Sequence, residues 1–250
     1  NLFVIDNIII PTISHFATQG SGGGASSIID LELIDYLTLS SGGFGVPHGD
    51  KLSSVLFLSL REGDREKTVM KATVSATQFG LHIEGPIGKK ASYLLTARKS
   101  YLDLVFKAYN MSFAPDYADI LGKVSWSPGT SDRVDFLTIA KTDRMKLFND
   151  TESDRLANSD VVFGNQNMVA SGMTWKHISQ KYFTLVTLSD CYGEYDSFQE
   201  PPSGPPFFSS TSFENELALN VNLVAYPTET TELSVGGRGV LTKFHVHLRD

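Results

Sequence analysis

The chain has 250 residues, 41% hydrophobic and 20% charged, with a formal net charge of -7 and a single cysteine. No apolar run approaches the ~18 residues that a spanning helix needs. One cysteine permits neither an internal disulfide nor a cysteine-based zinc site, and the acidic balance argues against nucleic acid as a partner. The length suits one large domain or two small ones, and the start at Asn1, with neither Met nor a leader segment, fits a mature protein or a piece of a longer one.

Over the first 65 residues the apolar runs are short: Leu2 to Ile5, Ile8 to Ile10, Ile28 to Leu39 and Val55 to Leu60. Gln19-Gly20-Ser21-Gly22-Gly23-Gly24 and Ser40-Ser41-Gly42-Gly43-Phe44-Gly45 separate them. Runs of this kind, bounded by Gly, Pro or Ser, predict strands of a compact mixed domain. Ile28 to Leu39, interleaved with Asp30, Glu32 and Asp35, also fits a helical turn followed by a strand.

After about Glu66 the texture changes to longer segments of period-two alternation. Met70, Ala72 and Val74 oppose Lys71, Thr73 and Ser75, because successive Cβ atoms point to opposite sides of a strand. Phe79, Leu81 and Ile83 oppose Gly80, His82 and Glu84; Ile120, Val124 and Trp126 oppose Lys123 and Ser125. From Phe213 to Ala225 the odd positions are mostly apolar and the even ones mostly polar, and near the end Lys243, His245, His247 and Arg249 oppose Thr242, Phe244, Val246 and Leu248. Tyr93 to Phe106 and Lys181 to Ser189 blur the pattern and predict a bulge or contact with another domain. Prolines 86, 115, 128, 201, 202, 205, 206 and 227 are expected in turns and loops, outside the strands. From Lys67 onward the count is about nine strands, each long enough to cross a bilayer when tilted.

Short links at Gly85 to Ala91, Pro128 to Asp132, Ser179-Gln180 and Pro227 to Thr231 alternate with long ones at Lys107 to Tyr117, Leu147 to Gln166 and Phe198 to Ser210. Short turns at one end and long loops at the other are the asymmetry of an outer-membrane barrel. Trp126 and Trp175 fall just before short turns, where an interfacial girdle would place them. Alternation by itself suits a soluble antiparallel sandwich equally well, and these signals together bring the two readings level.

A set of ordered motifs separates them. Asn1-Leu2-Phe3-Val4-Ile5-Asp6-Asn7 with His15-Phe16, Gly42-Gly43-Phe44, His48-Gly49-Asp50-Lys51-Leu52-Ser53-Ser54-Val55-Leu56, Arg61-Glu62-Gly63, Glu84-Gly85-Pro86, Ala97-Arg98-Lys99-Ser100-Tyr101-Leu102-Asp103 and Ala114-Pro115-Asp116-Tyr117-Ala118-Asp119 with Lys123 cover about half the chain. In these it resembles the TonB-dependent outer-membrane receptors, in the subgroup that carries a carboxypeptidase-regulatory-like domain ahead of the plug. It departs from them at His48, where the family usually has a Tyr before Gly49. The resemblance implies a mainly β chain: the C-terminal part of a plug over residues 1–65, then the first ~9 antiparallel strands of a 22-stranded transmembrane barrel over 66–250. At roughly 20 residues per strand and loop, 22 strands need about 440 residues, so an internal fragment is expected. The function implied is import of a scarce nutrient, whether siderophore, cobalamin, glycan or peptide, with outer-membrane lipid around the barrel. Energy would come from a TonB-type inner-membrane complex, acting through a segment this chain lacks. No enzyme chemistry and no cofactor are expected.

On that reading the apical plug loops supply ligand contacts, with His15, Phe16, Gln19, Phe44 and His48 as candidates, since aromatic and polar loop tips on a rigid scaffold suit recognition. Arg98, too costly to leave in lipid, is expected to face the lumen and pair with plug carboxylates such as Asp50 or Glu62, and Lys99 to lie near an interface. The other motifs carry bland readings. Gly20-Ser21-Gly22-Gly23-Gly24-Ala25 formally fits a dinucleotide pattern but follows no clear strand and suits a flexible apical loop. His245 and His247 share a strand face with Lys243 and Arg249, which favours polar lumen residues over a metal site. Glu214 and Glu216 read as lumen carboxylates, and Cys191 as a packing residue. The rival function is a soluble secreted sandwich that binds glycans through Pro205-Pro206-Phe207-Phe208; an adhesive barrel comes third.

Overall fold

The computed structural model describes residues 1–42, 53–201, 203 and 208–249. Strands β1 (Leu2–Ile5), β2 (Ile8–Ile10), β5 (Ile34–Ser40) and β6 (Val55–Leu60) form a four-stranded sheet of order β2-β1-β6-β5, in which β1 and β6 run parallel. All four residues of β1 are buried, which is why Leu2 to Ile5 is continuously apolar. Asp6 and Asn7 turn β1 into β2 with φ of 47° and 71°, the pair of positive values that a two-residue hairpin turn of matching twist requires. Two-residue strands β3 (Ser14–His15) and β4 (Ser26–Ser27) pair beside this sheet. Ile28 to Leu39 resolves into a 3₁₀ turn at Leu31–Leu33, capped by the Asp30 side chain, followed by β5.

Strands β7 (Val69–Val74), β8 (Gln78–Ile87), β9 (Ala91–Ser100), β10 (Phe113–Trp126), β11 (Asp132–Leu147), β12 (Phe163–Ile178), β13 (Tyr182–Gln199), β14 (Phe208–Thr228) and β15 (Thr231–Arg249) form one antiparallel meander in which each strand pairs with its sequence neighbours. From β10 to β14 the strands run 14 to 21 residues, beyond the ~9–11 that cross a hydrocarbon layer. Alternation assigns the faces. Leu95, Ile120, Phe136, Val169, Leu188 and Leu219 are exposed on one side. On the other, Leu94, Leu121, Leu137, Ile139, Met168 and Ala170 pack with Ile5, Ile8, Ile10, Leu58 and Leu60 of the small sheet into one core. The small sheet therefore lies against the meander's inner face and leaves the apolar outer face uncovered.

Helices α1 (Leu102–Ala108) and α2 (Glu152–Ser159) occupy the long connections at one end of the meander, and α2 begins with a Thr151–Asp154 capping box. Trp126, Trp175, Tyr182 and Tyr226 are exposed at the opposite, short-turn end.

Three sequence expectations are corrected. Pro86, Pro115 and Pro227 lie inside strands, each where a missing N–H is tolerated. At Pro86 and Pro115 the strand has a partner on one side only, since β7 reaches no further than Glu84 and β9 begins pairing at Ala118; Pro227 falls at the register shift between Ala225 and Thr228. Tyr93 to Phe106 and Lys181 to Ser189 contain no bulge, because β8 to β14 keep continuous registers; the other alternative, contact with a neighbouring unit, fits the first segment, where Leu94 joins the core of the small sheet and Arg98 reaches the Ser27 carbonyl. The blur in the first is the change from strand to α1, with Arg98 inward and Lys99 outward in plain alternation. His245 and His247 are not on the inner face: their register partners Phe213 and Thr211 share the parity of the outward Leu217 and Leu219, and His245 stacks on Phe213 at 5.3 Å.

Candidate functional site

Two polar clusters tie the N-terminal strands to the meander, the first through the β3–β4 pair and the second through the small sheet. The first is built on β3. His15 is fully buried, and its two ring nitrogens face two carboxylates, Nδ1 to Asp143 Oδ1 at 2.5 Å and Nε2 to Asp119 Oδ2 at 2.9 Å. Asp119 and Asp143 stand at inward positions of β10 and β11, and both are buried. Arg98 Nε donates to Asp119 Oδ1 at 2.9 Å, while Lys141 Nζ donates to Asp143 Oδ2 at 2.7 Å and to Gln166 Oε1 at 3.1 Å. The Tyr117 ring stacks on the imidazole at 4.3 Å. The backbone joins in: Arg98 donates to Ser27 O at 2.9 Å, Lys141 to Ser14 O at 2.8 Å, and Phe16 N to Asp143 Oδ2 at 2.9 Å. Burial opposes protonation of His15, but the bonds to Asp119 and Asp143 outweigh it and raise its pKa above the ordinary histidine value.

The second cluster lies toward the short-turn end. Lys123, buried on β10, pairs with Asp6 Oδ2 at 2.8 Å and donates to Leu60 O at 2.5 Å. Glu62 binds Arg133 and Arg65, and Arg133 continues to Asp135 at 2.6 Å.

Beside the first cluster, toward the end that carries α1 and α2, opens a cleft of about 450 Å³, within the range of small-molecule sites. Its walls include Phe16 and Gln19 from the β3–β4 connection, Phe163 and Asn165 of β12, and Tyr195 and Asp196 of β13. Ser212 Oγ of β14 donates to Gln19 Oε1 at 2.9 Å, and the Gln166 amide donates to Ala17 O, so residues 16–19 are tied to the meander at several points.

Of the candidate ligand residues, Phe16 and Gln19 line this cleft, whereas His15 is buried beneath it in the ion cluster and has no face open to a ligand. Phe44, His48 and Asp50 fall outside the described residues. Arg98 does point inward, but its carboxylate partner is Asp119 of the neighbouring strand and its tie to the β3–β4 pair is the Ser27 carbonyl; Glu62 goes to Arg133. Lys99 pairs with Asp116. Sequence reasoning missed Asp119 and Asp143 as partners of His15 and Lys141 as the partner of Asp143. The available signal was their parity, since each lies on the face of its strand that also carries Lys123, Ser125 and Asp135.

Neither a family model nor a curated protein matches the sequence. Solved structures do. The alcaligin outer-membrane receptor of Bordetella pertussis aligns over 99% of this chain and 40% of its own, with a TM-score of 0.70 at 13% identity. The pyoverdine-bound outer-membrane receptor of Pseudomonas aeruginosa gives the same coverages with a TM-score of 0.69 at 11% identity. This is the fold of the TonB-dependent outer-membrane receptors. The ferric preacinetobactin receptor of Acinetobacter baumannii shares it over 100% of this chain and 40% of its own, with a TM-score of 0.66 at 10% identity. The chain thus spans about 40% of the length of the receptors that it matches.

Proposed function

We propose that residues 1–65 are the C-terminal part of a plug, that residues 66–250 are the opening strands of a 22-stranded barrel, and that the whole protein is a transporter of the Gram-negative outer membrane. It would import a scarce nutrient with energy from a TonB-type inner-membrane complex. One observation carries this reading: the meander is apolar on its uncovered outer face, while its inner face holds the N-terminal strands through two buried contacts, His15 with Asp119 and Asp143, and Asp6 with Lys123. A soluble sandwich would cover the apolar face with its second sheet; here the second sheet takes the charged one.

Ligand contact falls to the cleft at the end with the longer connections. Its described lining includes Asp196 and no cation; the rest is amide, hydroxyl, aromatic and aliphatic. Such walls favour a ligand rich in hydroxyl or amide groups, which the amide and hydroxyl side chains can hydrogen-bond. The test is fractionation and uptake with the full-length protein. It should pellet with outer membranes and dissolve only in detergent, and it should support growth on a limiting nutrient only when the inner-membrane complex is intact. Recovery in the soluble fraction without detergent would sink the reading.

A further inference from the structure

We infer that His15 is a positioning residue for the ligand cleft, and that one proton shared among Asp119, His15 and Asp143 holds segment Phe16–Gln19 in place. The inference rests on the cleft being the ligand site. A neutral imidazole has one N–H and one lone pair. In this cluster both ring nitrogens face carboxylate oxygens, at 2.5 and 2.9 Å. With two ionised carboxylates and a neutral ring, one of these contacts would set a lone pair against an anionic oxygen without water to separate them. The geometry therefore calls for one proton more than a neutral ring supplies, carried as imidazolium or shared with a carboxyl group.

Among the described residues, two cations face the cluster. Arg98 from β9 and Lys141 from β11 neutralise the two aspartates, Tyr117 from β10 lies flat on the ring, and Gln166 from β12 and the Ser14 and Ser27 carbonyls complete the shell. The extra proton answers to hydrogen-bond geometry, since charge balance is met without it. Asp143 also accepts the Phe16 N–H, so a carboxylate pinned by the shared proton is the one that holds the first cleft residue. Gly24 closes the arrangement from behind, where a Cβ would stand 2.2 Å from the His15 carbonyl oxygen. The Asp6–Lys123 pair, which ties the first strands to the meander, contains no histidine, so residues 1–8 serve as the internal control.

Hydrogen exchange on the full-length protein in detergent tests this through protection factors, which remove the intrinsic pH dependence of exchange. Protection over residues 14–19 should fall about tenfold as pH rises from about 6 to 9, matching the loss of one charge-assisted hydrogen bond, while residues 1–8 stay unchanged. In Asp119→Asn the amide can donate to a neutral ring, so protection should persist at high pH; in His15→Gln it should be low throughout and flat. A wild-type profile without the step, or a step of unchanged size in Asp119→Asn, overturns the inference. No ligand enters the measurement, so its failure leaves the transport reading intact; the cleft as the ligand site fails separately if substitutions at Phe163 and Asn165 leave uptake unchanged.

Discussion

Lys123 shows how much depends on partners far away in sequence. Its ammonium is 2% exposed and is answered by Asp6 and by the Leu60 carbonyl. Removing one partner from a buried pair typically costs about 3–5 kcal/mol, because the other charge stays behind. Asp6→Asn should therefore lower the urea midpoint of the purified protein strongly, and Lys123→Met should lower it less. Glu62→Gln makes the contrast. Arg133 is about a third exposed and keeps Asp135, so the loss should be about 1 kcal/mol or less and should shrink further in high salt. A midpoint for Glu62→Gln as low as that for Asp6→Asn would refute this ordering. From sequence, alternation sent Arg98 and Lys123 inward, yet it could not name their partners. His15 and Asp143 stand 128 residues apart, and no local pattern encodes a pairing over that distance.

Strand and turn positions were largely legible because a meander pairs sequence neighbours, so each element needs only local information. Where reading failed, a neighbouring element had changed the rules. Pro115 looked like a loop residue because a central strand would reject it, but β10 outruns β9 there, so no strand carbonyl is left waiting for the N–H that proline lacks. The run through Phe106 looked irregular because a helix follows the strand after one residue. Gly63 of the Arg61-Glu62-Gly63 motif has a spatial reason: a Cβ there would lie 2.0 Å from the Tyr93 carbonyl oxygen, a backbone atom that cannot swing away. Gly63→Ala should push the segment after β6 off β9 at a cost of roughly 1–3 kcal/mol. It should also expose Arg61 and Arg65 to trypsin under native conditions; an unchanged digestion pattern would show that the close approach is dispensable.

At the scale of the molecule, the meander's order and its two-faced character were readable from period and loop length, whereas the docking of the small sheet was not. That docking depends on which side chains of two distant segments interlock, Ile8 against Gly172 among them, where a Cβ would come within 2.5 Å of the Ile8 side chain. The membrane reading has its own check. Trp126 and Trp175 are both exposed at the short-turn end, so in vesicles their fluorescence should be quenched more by bromines near the headgroups than by bromines at the chain ends. Stronger quenching at the chain ends would place the girdle, and with it the slab boundaries, wrongly.

The run Gly22-Gly23-Gly24 is three identical letters under three different constraints. Gly22 would press a Cβ onto the Phe3 ring, Gly23 has nothing within 4 Å, and Gly24 abuts the His15 carbonyl. A sequence drifting under selection for this fold should let Gly23 change freely, let Gly22 change only together with Phe3, and keep Gly24 whatever side chain stands at 15, because the atom it abuts is backbone. What passes for low complexity in the string is thus one neutral position between two that are tied to separate parts of the molecule.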